Sequence, residues 1–270
     1  MTNPLLSIKN LDVVYESRGF RKNAFKALHD VSLDVLPGET VGLVGESGSG
    51  KSTLGRAVLG LVPVKAGTIE FHGRDITHAK RAERRAIAED LQVVFQDPYN
   101  SLNPSMAVGD ILAEPLSVTR MSAKDARARV QQALDQVHLP TDSIDRRPHE
   151  FSGGQRQRIA IARALVMEPK LIVCDEPLSA LDLATQSHIV DLLLELQEAT
   201  GTAYLFISHD LHLVRHLCHR VTVLQKGRVV EAGPGDLITS KPTQEYTKQL
   251  LVASPVPDPK IQKARVASRA

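Results

Sequence analysis

The sequence predicts an α/β fold with a mainly parallel sheet, and three observations predict it. Strand-like and helix-like segments alternate along most of the chain. A short apolar strand runs directly into a glycine-rich loop that opens a helix. Between two later strands the pattern turns helical over residues 97–167, which marks a helical subdomain inserted into the core.

Each element has a local reason. Residues 5–15 read as a strand, residues 40–44 as a short buried one, and residues 51–60 as the helix that follows the glycine-rich loop. Residues 67–71, 91–95, 171–174 and 203–208 are further strands. Within the insertion, Ser122 and Asp125 form a capping-box-like start. Ala126, Val130, Ala133, Leu134 and Val137 then keep helical spacing until Pro140. Ser152 stands as an N-cap with Gln155 three residues on, and Ile159, Ala162, Leu165 and Val166 give the next helix its apolar face. Past Ala253 the chain is rich in Pro, Ala, Lys and Arg without apolar periodicity. Residues 1–253 therefore read as one domain, and residues 254–270 as a disordered tail.

Bulk properties narrow the function. A net charge of +2 over 270 residues sets up no strong field for a nucleic-acid duplex, so no nucleic-acid partner is expected. Two cysteines, Cys174 and Cys218, form no disulfide framework and fit a reducing compartment. No apolar run approaches the roughly 18 residues of a membrane span, and the N-terminus lacks the pattern of a secretory signal. A membrane role would come through partners.

The chemistry starts at Gly45-Glu46-Ser47-Gly48-Ser49-Gly50-Lys51-Ser52, which satisfies the whole phosphate-loop pattern in its strand–loop–helix context. Glycines let backbone N–H groups turn toward phosphate oxygens, and the helix dipole adds positive potential. Lys51 would reach the β- and γ-phosphates and Ser52 would ligate Mg²⁺. Asp175 and Glu176 end a buried apolar strand. Asp175 would hold Mg²⁺, and Glu176 would accept a proton from the attacking water. Gln96 and His209 each follow a strand, and parallel strands present their C-terminal ends to the ligand crevice. His209, His212, His216, His219 and Cys218 also form a cluster, but no carboxylate or cysteine pair with zinc-site spacing completes it. The Ser152-Gly153-Gly154-Gln155 helix start offers a second anion site, and paired glycines there suit close approach to the backbone.

These motifs, in this order over residues 5–250, identify the chain as resembling the ATP-binding-cassette (ABC) ATPases, the nucleotide-binding subunits of transporters. The resemblance implies a phosphate-loop core with an N-terminal antiparallel β subdomain and the inserted helices. It also implies two such subunits, in a homodimer or heterodimer, sandwiching ATP head to tail. Tyr15 would stack on adenine, and residues 45–53, through Thr53, would hold phosphates and Mg²⁺. Gln96 would touch Mg²⁺ and sense the membrane subunits. Ser152, Gly153, Gly154 and Gln155 would bind the partner's γ-phosphate, and Asp182, in Ser179-Ala180-Leu181-Asp182, would belong to the D-loop and also face the partner's nucleotide. Glu176 would be the general base and His209 the switch histidine. Phe151 replaces the usual leucine of the signature.

Three further stretches are similar to the ATPases of dipeptide, oligopeptide and nickel importers: residues 95–104, the basic stretch around Arg18, Arg21, Lys22 and Lys26, and Pro242-Thr243-Gln244-Glu245-Tyr246-Thr247. The basic stretch reads on its own as a solvated hairpin loop. Many such ATPases carry a C-terminal cysteine cluster for an iron–sulfur centre, but no cysteine follows Cys218, so none is expected here. The resemblance thus implies an ATPase on the cytoplasmic face of the membrane. Its partners would be two integral membrane permeases, with an extracytoplasmic solute-binding protein in the same system. Soluble members of the family that act on DNA or ribosomes carry long coiled-coil insertions or a second cassette, and neither is found. An exporter is the remaining alternative, because direction is set by subunits outside this chain.

Overall fold

The structure is a computed structural model describing residues 3–16, 24–97, 101–119 and 121–253. Arg18, Arg21 and Lys22 of the basic stretch, Pro98, Tyr99 and Asn100, and residues 254–270 lie outside the described residues. The fold is mixed α/β and divides into two compact units, one within residues 1–86 and 203–270 and the other within residues 87–202.

The chain enters the first unit through β1 (Leu6–Glu16), which pairs antiparallel with β2 (Ala24–Val35). Leu6, Ile8, Leu11 and Val13 of β1 are buried, and the alternation slips where the register shifts between Ile8 and Val14. Lys26 is therefore a strand residue and not part of a solvated loop: its ammonium pairs with Asp12 at 2.7 Å, in the bulged part of β1. Sequence reading misses β2, although Val31, Leu33 and Val35 alternate as buried residues with exposed Ser32 and Asp34; only its first half, where Ala27 and Leu28 are buried side by side, breaks the alternation.

Next comes β3 (Thr40–Val44), buried at every position, followed by α1 (Lys51–Val58). Then β4 (Ala66–Phe71) pairs antiparallel with both β1 and β5 (Arg74–Asp75), completing a sheet in the order β2-β1-β4-β5. The helix α2 (Arg81–Ile87) follows. Its Arg84 donates to the carbonyls of Val58 (2.6 Å) and Ile76 (2.5 Å), satisfying an acceptor at the C-terminus of α1.

The second unit holds β6 (Leu91–Val94) and β7 (Leu171–Asp175), a parallel pair in register from Leu91 and Leu171 to Val94 and Cys174. Parallel neighbours need a crossover, and here it is helical: α3 (Val108–Ala113), α4 (Ala123–Gln136) and α5 (Gly153–Leu165). Ser122 caps α4 by accepting the Asp125 N–H, and Val130, Ala133, Leu134 and Val137 are buried as their spacing predicts. After β7 comes α6 (Leu183–Thr200), capped by Asp182 at its start and ended by the left-handed Gly201.

Back in the first unit, β8 (Ala203–Ser208) lies parallel to β3, and α7 (Leu211–Leu217) leads to β9 (Arg220–Gln225), parallel to β3 on its other side. Then β10 (Arg228–Pro234) turns back antiparallel to β9, and α8 (Gly235–Ser240) and α9 (Glu245–Ala253) close the described chain. Among the described residues no helix is long and apolar enough to cross a membrane.

Candidate nucleotide site

In the first unit Val44 of β3 pairs with Ser208 of β8, so Gly45 and His209 leave the sheet side by side at the C-terminal ends of parallel strands. Ligands gather at that edge in open α/β sheets. Gly45, Gly48 and Gly50 all have a positive φ, and at two of them a Cβ would also collide. Gly45 has φ 156°, and a Cβ there would sit 2.2 Å from the Leu224 carbonyl oxygen. Gly50 has φ 108°, and its Cβ would come within 2.8 Å of Leu28. The wall that forces the glycines is β9 and β2, elements the loop sequence itself does not announce.

The loop's chemistry fits a triphosphate. No side chain caps α1 at Gly50, and no acid lies in its first turn, so the positive end of the helix dipole is not answered within the helix. Lys51 is buried, with its ammonium donating to the carbonyls of Gly45 (2.8 Å) and Glu46 (3.0 Å). Tyr15, the residue expected to stack on adenine, is 37% exposed, with its hydroxyl 3.4 Å from Thr53 Oγ1. His209 is exposed beyond β8, and Asp210 caps α7 by accepting the His212 N–H at 2.7 Å. In the neighbouring histidine cluster, His219 Nδ1 accepts the Thr40 N–H at 3.0 Å, and among the described residues no group of His, Cys, Asp and Glu is arranged to hold a metal.

The second unit repeats the logic. Val94 pairs with Cys174, so Gln96 and Glu176 follow adjacent strand ends, and Gln96 Nε2 donates to Glu176 Oε2 at 3.5 Å. Asp175 is buried at the end of β7. Burial, and then the charge of Asp175, push the Cys174 thiol up to about 12, so Cys174 is an inert core thiol. Glu176 has φ 47°, a left-handed conformation that costs an L-residue about 1–2 kcal/mol. Ser179 pins that strained turn, its hydroxyl donating to the Glu176 carbonyl at 3.0 Å. The oxygen donors expected for Mg²⁺, the Ser52 hydroxyl, the Gln96 amide oxygen and the Asp175 carboxylate, are the hard ligands that this ion takes.

The signature helix start is a complete capping box: Ser152 Oγ accepts the Gln155 N–H (3.3 Å) and Gln155 Oε1 accepts the Ser152 N–H (2.9 Å). Both side chains are exposed, so α5 presents its start to solvent. Phe151 is buried, with the Arg146 guanidinium 4.4 Å above its ring. Gly154 has a packing reason as well as a chemical one, since a Cβ there would lie 2.6 Å from the Thr185 methyl. Thr185 is in turn fixed by Asp182, which accepts its N–H at 3.0 Å and its hydroxyl at 2.6 Å. These bonds, the hydroxyl's first, hold the Asp182 carboxyl below its usual range. Thr185 is thus a structural link between Asp182 and Gly154 that motif reading misses. Its signal is its place three residues after a helix cap.

Comparison with known proteins agrees with this geometry. Residues 28–179 match the family model described as ABC transporter. A Brucella ovis protein named for peptide import and ATP binding is 49% identical over 95% of this chain and 80% of its own length. The oligopeptide transport ATP-binding protein OppF of Escherichia coli is 45% identical over 96% of this chain and 80% of its own, and that of Bacillus subtilis 43% identical over 100% and 88%. Among solved structures, cbiO1 of Clostridium perfringens, part of the ABC transporter complex cbiONQ, superposes with a TM-score of 0.79 at 30% identity, over 88% of this chain and 92% of that one. The dimeric ATP-binding cassette MJ0796, in a post-hydrolysis state bound to ADP and Pi, gives 0.75 at 30% identity, over 85% and 98%. A phosphate loop and a capped signature helix on a mixed α/β fold, with this degree of likeness to known cassettes, mean that the chain belongs to the ABC transporter family, among its ATP-binding cassette ATPases.

Proposed function

We propose that the chain is the motor subunit of a solute importer, hydrolysing ATP at sites shared between two cassettes. The observation that carries the import reading is its 43–49% identity, over nearly the whole chain, to relatives named for peptide import and oligopeptide transport. The solute would be a peptide, or nickel or a similar small molecule. Two membrane permeases would receive the work at the cytoplasmic face, and an extracytoplasmic binding protein would deliver the solute.

In this reading residues 45–53 bind the phosphates of ATP and Tyr15 stacks on adenine. Ser52, Gln96 and Asp175 hold Mg²⁺, which when bound neutralises charge on the phosphates. Glu176 takes the proton of the attacking water, and Gln96, already within reach of its carboxylate, orients it. His209 fixes the γ-phosphate side of the site. Ser152, Gly153, Gly154, Gln155 and Asp182 serve the partner cassette's nucleotide. Ser152 and Gln155 are exposed, as a helix start that is to meet a second cassette must be.

The shared site is tested by mixing Lys51→Ala subunits with Ser152→Arg subunits. Both defects then fall in one composite site, so the heterodimer keeps one intact site and recovers hydrolysis that neither parent shows. A demonstrably formed heterodimer without activity would sink the proposal.

A further inference from the structure

Residues 242–247 are distinctive in the sequence, yet the ATPase reaction assigns nothing to them. In the structure the segment is tied down at two points within the first unit. The Glu231 carboxylate of β10 accepts the Thr243 N–H (2.7 Å), the Thr243 hydroxyl (2.8 Å) and the Gln244 N–H (3.3 Å). Burial pushes the Glu231 carboxyl up, and the hydrogen bonds it accepts outweigh that and hold it below its usual range. Glu231 therefore stays ionised at neutral pH and anchors the start of α9.

From that anchor Tyr246 reaches the phosphate loop. Its hydroxyl oxygen accepts the Glu46 N–H at 3.0 Å, across 200 positions of chain. Burial, the largest influence on the phenol, pushes it up, so the hydroxyl is neutral at working pH. The same stretch of loop is held from other sides: Lys51 grips the Gly45 and Glu46 carbonyls, and the Gly227 N–H donates to the Ser49 carbonyl at 2.8 Å. A loop that cradles phosphates with backbone N–H groups loses affinity when it must be ordered by its ligand, so each external tie raises affinity by preorganisation.

We propose that Tyr246 is a positioning residue of the nucleotide site: through its hydroxyl, the C-terminal segment keeps the phosphate loop preformed and sets its affinity for the nucleoside triphosphate. This rests on the assignment of residues 45–53 to the phosphates. One neutral hydrogen bond corresponds to about a 3- to 10-fold change in dissociation constant.

The test uses the full chain, titrated with Mg·ATP. Tyr246→Phe keeps the ring and removes only the hydroxyl. It is expected to weaken binding about 3- to 10-fold, to speed amide exchange in residues 45–50, and to raise KM while leaving kcat within about twofold. Glu231→Ala, which frees the anchor, should weaken binding too, and adding Tyr246→Phe to it should cost nothing more, because both act through one contact. Unchanged affinity and exchange in Tyr246→Phe, with binding abolished by Lys51→Ala, would overturn the latch alone. Fully additive losses in the double variant would do the same. Undiminished binding by Lys51→Ala would remove the phosphate-loop assignment and the latch with it.

Discussion

Gly154 of the signature offers a test in which the sign of the effect is decisive. Gly154→Ala on the surface of an ordinary helix would stabilise by up to ~1 kcal/mol, through helix propensity and a less disordered unfolded chain. Here the new Cβ would meet the Thr185 methyl at 2.6 Å. Thr185 cannot turn away without giving up its 2.6 Å hydroxyl bond to the Asp182 carboxylate. A hydrogen bond to a charged group is worth about 1.5–3 kcal/mol, and forced overpacking costs a similar ~1–3 kcal/mol. The loss therefore outweighs the gain, and Gly154→Ala should destabilise the start of α5 by about 1–2 kcal/mol. Thr185→Ser deletes the offending methyl and keeps the hydroxyl, so in that background Gly154→Ala should become neutral or stabilising. Native-state hydrogen exchange over residues 153–165 reads this locally, without assuming that both units unfold together. Slower exchange in the single Gly154→Ala variant would refute the packing argument.

Three other outcomes follow from β7 and the turn after it. Glu176→Gln should keep ATP binding and slow hydrolysis on the order of 10²- to 10⁴-fold, whereas Glu176→Gly should also tighten local exchange protection, because glycine relieves the strain of φ 47°. Undiminished turnover would reject Glu176 as the base, and looser exchange in the glycine variant would reject the strain. Cys174, its thiol pushed up to about 12, should resist alkylation at pH 8 in the native chain and label only on unfolding, as peptide mass spectrometry would reveal. Rapid native labelling would contradict that burial.

The phosphate loop, the acids ending β7 and the Ser152 cap were all legible in the chain itself, because each is local. A glycine spacing, a buried apolar run ending in two carboxylates, or a Ser with Gln three residues on carries its geometry within one turn or one strand end. Helix α4 was legible for the same reason, its cap and spacing reappearing as the Ser122 bond and the buried face through Val137. Strands β2, β9 and β10 were not. The first half of β2 and the half-exposed β10 show no clean alternation and make sense only against the strands they pair with, as Lys26 does against Asp12, whereas the buried run of β9 is too short to announce itself.

What tertiary structure alone decided is why particular residues must occupy these motifs. Gly45 is forced by a carbonyl of β9, and Gly154 by the methyl of Thr185, whose rotamer Asp182 sets. The Glu46 N–H meets a tyrosine 200 positions away. Such contacts leave no periodicity or spacing in the chain, because the partners share only a place in space. Local chemistry is written along the sequence, whereas steric exclusion and long-range hydrogen bonds come into being when the sheet assembles.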